Sequence, residues 1–318
     1  MRVLVTGATG FIGKAILARM ALDQTLELRG TVRNNAQKIA YDVPTVHVGD
    51  LAPDTDWSEA VSEMNTIIHT AARVHVMRDS ASNPMDEFRR INVAGTLNLA
   101  RQAVRAGVQR FVFISSIGVN GNQSVLPFSE SDVPNPVEPY AISKLEAESG
   151  LRLLAEQTDM ELVTIRPPLV YGPNAPGNFS RLINIISKGI PLPLGAINNQ
   201  RSLVALDNLV DLIVTCTNHP AAANQTFLVS DGHDISTTEL IKLMGVALGT
   251  PVRLLPLPVS WIKMGAKLLG KSEVAQRLCS SLQVDISKVV NLLGWRPIIS
   301  VEEGFKRVAV GYLNEKNC

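Results

Sequence analysis

VTGATGFIG, residues 5–13, is the stretch on which the fold turns. The apolar run RVLVT (2–6) leads straight into it, and residues 12–22 then take helical spacing. Glycines at such a junction permit a tight turn and a close approach of backbone to a pyrophosphate. The helix N-terminus that follows favours the negative charge. Gly7, Gly10 and Gly13 therefore read as a dinucleotide-binding loop, because the strand–helix context required of that motif is present. The spacing is GxxGxxG, not the GxGxxG of the simplest fingerprint.

Working outward, LELRGTVR (26–33), TVHVGDL (45–51), NTIIHTAA (65–72), RFVFISS (110–116) and ELVTIRPP (161–168) read as strands. Residues 91–106 and 139–157 carry helical periodicity. Strands alternating with helices predict an α/β fold, a doubly wound parallel sheet covered on both faces. Past Tyr171 the regularity falls, with GPNAPGN and KGIPLPLG breaking the pattern, while TFLVSD (226–231) reads as a strand that returns to the sheet. The expected division is a nucleotide-binding domain over 1–170, with returning segments near 201–231, and a mainly substrate-binding domain over 171–318.

Composition narrows the class. The 318 residues are 46% hydrophobic and 19% charged, which reads as globular and not disordered. A net charge of +1 without a basic stripe gives no reason to expect nucleic acid. Cys216, Cys279 and Cys318 have neither metal-ligand nor CxxC spacing, so the expectation is no disulfide framework, no metal and a reducing cytoplasm. The N-terminus opens on a strand pattern and not on a signal-type apolar region. No run approaches the length of a membrane span. The apolar segment Pro251–Gly270 is interrupted by Pro256, Pro258, Lys263 and Lys267. It reads as a helix packed on the protein or closing over a site, with peripheral membrane contact as the alternative.

A dinucleotide with a free adenosine ribose calls for an acid at the end of the second strand. Here that place reads TVRNN, with Arg33. A guanidinium can pair with a ribose 2′-phosphate, which a carboxylate would repel. NADP(H) is therefore favoured over NAD(H), and a solvent-facing Arg33 is the bland alternative. Asp50, in GDL, is a candidate adenine contact or else a turn aspartate.

EPYAISKLEAE (138–148) places Tyr140 and Lys144 at i and i+4, one turn apart on one helix face. A phenol is a poor base at neutral pH, and a neighbouring ammonium lowers its pKa. Tyr140 could then move a proton at a carbinol oxygen while hydride crosses to a nicotinamide, with Lys144 also on the nicotinamide ribose. Ser115 and Ser116, at the carboxyl end of the fifth strand, are candidates to hydrogen-bond the same oxygen.

TGATGFIG, ISS before a glycine turn, YAISK and RPPLVYGP together resemble the extended short-chain dehydrogenases/reductases, in the branch of the nucleotide-sugar epimerases and dehydratases. IHTAA (68–72), INVAGT (91–96), RSLVALDNLVD (201–211) and DISKVVNLLGWRP (285–297) follow in family order, so the resemblance spans nearly the whole chain. It implies a Rossmann-type sheet, a smaller C-terminal α/β substrate-binding domain, a nucleotide-sugar substrate (UDP-linked, by the family's habit) and a homodimer. It makes Ser116, Tyr140 and Lys144 the catalytic triad. It assigns Gly7, Thr9, Gly10, Phe11, Ile12, Arg33, Asp50, Leu51, Ala71, Ala72, Asn92, Ser115 and Pro167 to the cofactor, beside Tyr140 and Lys144. Asn178, Arg201 and Arg277 are assigned to the substrate, beside Ser116; an arginine suits a diphosphate as a planar multi-donor cation.

Departures from the family pattern bear on the reaction. Ile117-Gly118 stands where dehydratases carry an Asp-Glu pair, which disfavours dehydration. VNG, with Asn120, stands for the epimerases' VYG, and Leu169 for an asparagine before VYGP. With Arg33, these make an NADPH-dependent UDP-4-keto-6-deoxy-N-acetylhexosamine 4-reductase of O-antigen precursor synthesis the first reading. A UDP-hexose 4-epimerase is the second, and a non-catalytic NAD(P)-binding regulatory protein the third. His69 is expected to be buried at its strand end near the cofactor, and Trp295 to pack between domains. His75 is a surface residue or lines the sugar site.

Overall fold

The computed structural model describes residues 1–34, 39, 41–74, 83–176 and 178–317, with 178, 180, 316 and 317 described by backbone alone. Its strands are β1 (Arg2–Thr6), β2 (Glu27–Val32), β3 (Thr45–His47), β4 (Thr66–His69), β5 (Arg110–Ile114), β6 (Glu161–Arg166), β7 (Leu169–Tyr171), β8 (Leu203–Ala205) and β9 (Gln225–Leu228). Its helices are α1 (Phe11–Met20), α2 (Ser58–Val61), α3 (Pro84–Phe88), α4 (Thr96–Arg105), α5 (Pro139–Glu156), α6 (Asn178–Ser187), α7 (Leu206–Cys216), α8 (Thr237–Ala247), α9 (Val259–Leu268), α10 (Ser272–Cys279), α11 (Ser287–Leu293) and α12 (Val301–Asn317).

Seven strands form one parallel sheet in the order β3-β2-β1-β4-β5-β6-β9. Alternation along each strand feeds two cores. Val3 and Val5 of β1 face α1, α7 and α11, while Leu4 between them faces α2, α4 and α5. Both faces are thus covered, which is why the central strands are apolar throughout. The fold is the Rossmann-type doubly wound sheet expected from the alternation of elements. Strand order reverses between β1 and β4, so the loops after these two strands diverge and leave a crevice at their carboxyl ends.

The later half of the chain contributes to this sheet. β9 pairs with β6, α7 and α11 cover the same face as α1, and Trp295 is buried in that core with its indole N–H donated to Asp211 (3.0 Å). A third core is built by α6, α8, α12 and the small parallel pair β7–β8. Tyr171 stacks on Phe305 there and donates its hydroxyl to buried Asp231 (2.7 Å), whose other oxygen accepts from Ala205 N–H and Asn208.

One expected helix differs. Residues 91–106 do not run as a regular α-helix: Arg89–Gly95 is a π-helical segment continued by α4. A side chain on Gly95 would meet Leu51 at 2.9 Å, so this wide turn lies close on the loop after β3. π segments inside helices are frequent at functional sites.

Candidate active site

The glycine loop lies at the crevice. Gly7 has φ +69°, and a Cβ there would sit 2.7 Å from the backbone nitrogen of Ala71, on the loop after β4. A Cβ on Gly13 would sit 2.2 Å from the Gly7 carbonyl oxygen, so α1 can pack this closely only on glycine. Gly10 caps α1 without a side-chain hydrogen bond, and the first turn holds no acid. The leading amides of α1 are therefore uncapped by any side chain and favour an anion. Thr9, Phe11 and Ile12 are part-exposed beside it. These residues fit a dinucleotide's pyrophosphate. Ala71 and Ala72 are half-buried, and buried Asn92 ties their loop down, accepting from Arg73 N–H (2.8 Å) and donating to Arg73 C=O (3.0 Å) and Ser143 (3.0 Å). Arg33 and Asp50 are exposed past the ends of β2 and β3. The Arg33 carbonyl accepts from His47 and the Asp50 carbonyl from Thr55. Leu51 lies over Gly95.

Tyr140 enters on the first turn of α5, whose N1 position is Pro139, a residue that costs no hydrogen bond there. The buried stripe of this helix is Ala141, Ser143, Lys144, Ala147, Glu148 and Leu151, so two opposite charges lie on its inner face, one turn apart. The Lys144 ammonium donates to Ile114 C=O (2.8 Å) and lies 4.5 Å from the Phe113 ring centroid and 5.8 Å from that of Tyr140. Burial pulls its pKa down to about 7, against the attraction of Glu148. Burial also pushes the Tyr140 phenol up to about 12. The lowering expected from the lysine is thus outweighed by desolvation in this geometry.

The two serines divide. Ser115 is buried and donates its hydroxyl to Glu148, whereas Ser116 is half-buried and caps the short turn Ile117–Val119 through Gly118 N–H (3.1 Å). Ser116 is therefore the more accessible hydroxyl. The Pro167 carbonyl accepts from Ile117 N–H (2.9 Å) and holds that turn against the end of β6.

Sequence reasoning missed what lies beneath. Arg166 makes a bidentate pair with Glu148 (2.6 and 3.0 Å), both nearly inaccessible, and donates to Asn120 Oδ1 (2.8 Å). Asn120 in turn donates to Ser129 C=O (3.0 Å). The available signal was an arginine ending the apolar run ELVTI in a strand buried on both faces. The Asn120 departure thus has a structural use, satisfying a buried guanidinium. A Cβ on Gly118 would meet Ala141 at 3.1 Å, so the dehydratase acid at that position finds little space.

His69 is buried between Thr6 (2.6 Å) and Thr96 (2.9 Å), and burial, with Lys144 nearby, holds its pKa at about 3, so it stays neutral. Arg201 and Arg277 come together: the Arg201 guanidinium donates to Arg277 C=O (2.6 Å), and Arg277 pairs with Glu138 (2.6 Å), two residues before Tyr140. Burial and the neighbouring Arg277 charge lower the pKa of Arg201. His75 and the side chain of Asn178 lie outside the described residues.

A parallel nucleotide-type sheet with a glycine loop at its crevice and a Tyr-Lys turn beside it defines a dinucleotide-dependent enzyme class. The chain belongs to the NAD dependent epimerase/dehydratase family, whose model matches residues 3–230. It is 46% identical over 318 residues to UDP-glucose 4-epimerase of Vibrio cholerae, covering 99% of this chain and 96% of that protein. The solved structure of MoeE5 in complex with UDP-glucose and NAD superposes with a TM-score of 0.80 at 22% identity, covering 99% of this chain and all of that one. RMD from Pseudomonas aeruginosa complexed with NADPH superposes with a TM-score of 0.75 at 22% identity, covering 98% of this chain and 99% of that one. Among the described residues no helix is long and apolar enough to cross a membrane.

Proposed function

We propose that the protein is a UDP-hexose 4-epimerase that keeps NAD(H) bound between turnovers. The observation that carries this reading is the 46% identity to UDP-glucose 4-epimerase along 99% of the chain. It reverses the order drawn from the sequence, where the 4-keto reductase stood first.

Gly7, Thr9, Gly10, Phe11 and Ile12 would hold the pyrophosphate, Asp50 and Leu51 the adenosine, and Tyr140, Lys144 and Pro167 the nicotinamide end. The bound dinucleotide supplies a hydride acceptor and donor. In this reading Tyr140 would take the proton of the sugar 4-hydroxyl during oxidation at C4. Ser116 hydrogen-bonds the same oxygen. Once the sugar has turned over in the site, Tyr140 would give the proton back to the same oxygen. Lys144, its ammonium 5.8 Å from the Tyr140 ring centroid, would favour the phenolate when charged, against the burial that raises the phenol's pKa. Arg201 and Arg277 hold the substrate diphosphate, their paired charge suited to two phosphates.

The test is purified protein with UDP-galactose and no added dinucleotide. Conversion to UDP-glucose, with NAD released on denaturation, is the expected result; absence of conversion with either UDP-hexose or its N-acetyl derivative would refute the reading.

One observation keeps the reductase as a second reading: Arg33, and not an acid, follows β2 with its side chain exposed. NADPH oxidation by UDP-4-keto-6-deoxy-N-acetylglucosamine tests it. An Arg33→Ala variant with an unchanged NADPH/NADH affinity ratio would remove its support.

A further inference from the structure

Helix α9 has apolar side chains on two opposite faces. Val259 and Ile262 are half-buried against the third core. Trp261, Met264 and Leu268, spaced i, i+3 and i+7, form a stripe on the other side and are 63%, 59% and 83% exposed. Leu257 before the helix, Leu269 after it and Val274 on α10 extend the exposed surface. Scattered exposed apolar residues are ordinary, but three on one helix face, with more on the segments that flank it, mark a surface that is covered in use.

Charge identifies what covers it. Residues 251–274 carry Arg253, Lys263, Lys267 and Lys271 against the single acid Glu273, all five exposed. Lys263 and Lys267 lie one turn apart on the flank of the apolar stripe. A second copy of the chain meeting this patch about a two-fold axis would set like charges against each other. An anionic surface with an apolar interior matches both features, as for helices that lie in a bilayer interface with apolar residues down and lysines at the headgroups.

We propose that α9 and the turn into α10 are a peripheral docking surface for an anionic phospholipid leaflet. The surface adjoins the candidate site, since α9 packs on α10 and Arg277 of α10 pairs with Glu138 at the entrance to α5. Docking would bring the entrance for substrate close to the membrane surface. This proposal does not depend on which sugar reaction the enzyme performs.

The protein carries its own reporter. Of its three tryptophans, Trp57 and Trp295 are buried and Trp261 is exposed. The experiment is co-sedimentation and tryptophan emission of the intact protein with phosphatidylglycerol/phosphatidylcholine vesicles, beside pure phosphatidylcholine vesicles. The expected result is binding and a blue-shifted emission with the anionic vesicles, weakening as salt rises. Trp261→Phe should keep binding and lose the shift. Each of Lys263→Glu and Lys267→Glu should weaken partition by on the order of fivefold or more, and Met264→Ser/Leu268→Ser should abolish it. Failure to sediment with anionic vesicles would overturn the proposal. So would a concentration-dependent self-association that Leu268→Ser abolishes, because the covering partner would then be a second copy.

Discussion

Helices α5 and α9 invert the usual placement of side chains in opposite directions. The inner face of α5 buries Lys144 and Glu148, whereas the outer face of α9 exposes Trp261, Met264 and Leu268. Buried charge and exposed apolar surface are the informative exceptions to residue partitioning. On α5 each buried charge is matched: Glu148 by Arg166 and Ser115, Lys144 by Ile114 C=O and the Phe113 ring. On α9 the described protein offers the outer stripe no cover. The first arrangement binds stability and chemistry together; the second leaves surface binding separable from both.

That contrast can be broken most sharply at Glu148. Glu148→Ala leaves Arg166 buried without its carboxylate and should cost about 3–5 kcal/mol, read as a lowered urea midpoint. A loss below about 1 kcal/mol would mean that the pair is not desolvated as described. Tyr140→Phe should do the reverse, lowering turnover in the proposed reaction by about 10²- to 10⁴-fold while the midpoint moves little. A variant with near-normal turnover would remove Tyr140 from proton transfer.

The third test is pH. With Lys144 held at about 7 in the folded chain and near 10.5 unfolded, the unfolded chain binds the extra proton between those values. Stability should therefore rise with pH across that window, and Lys144→Met should flatten the rise. An identical slope in the variant would assign the trend to another group. The smallest effect is expected on α9: Leu268→Ser should shift stability by no more than about 0.5 kcal/mol, because the side chain is already in water. A larger loss would show that the stripe is covered within the folded chain.

The glycine loop, the parallel sheet and the Tyr-Lys turn were legible because each has a local cause. A strand must turn into a helix without side chains in the way, and two residues four apart must share a face. Arg166 and Asn120 were not legible, since their partners come from elements that meet only across the sheet's carboxyl edge. The division between Ser115 and Ser116 depended on Glu148, 33 positions away from the first of them. The apposition of Arg201 and Arg277 needed the β-bridge that joins Arg201 to Leu282. The effect of burial on Tyr140 was equally hidden, because a helical spacing reports neighbours on its own face and nothing of the desolvation around them.

The position of β9 bears on how the chain is made. Residues 225–228 supply the strand that covers the free edge of β6, and Trp295 closes the same core still later. While the ribosome has delivered only the first six strands, the backbone groups along that edge have no partner, and an open edge is a template for pairing with other chains. A nascent chain therefore passes through roughly sixty residues of synthesis with its nucleotide half unfinished, a stretch of several seconds at usual elongation rates. A fragment cut after residue 170 would hold that exposed edge permanently, and expression of the isolated first half should yield aggregates where the intact chain folds.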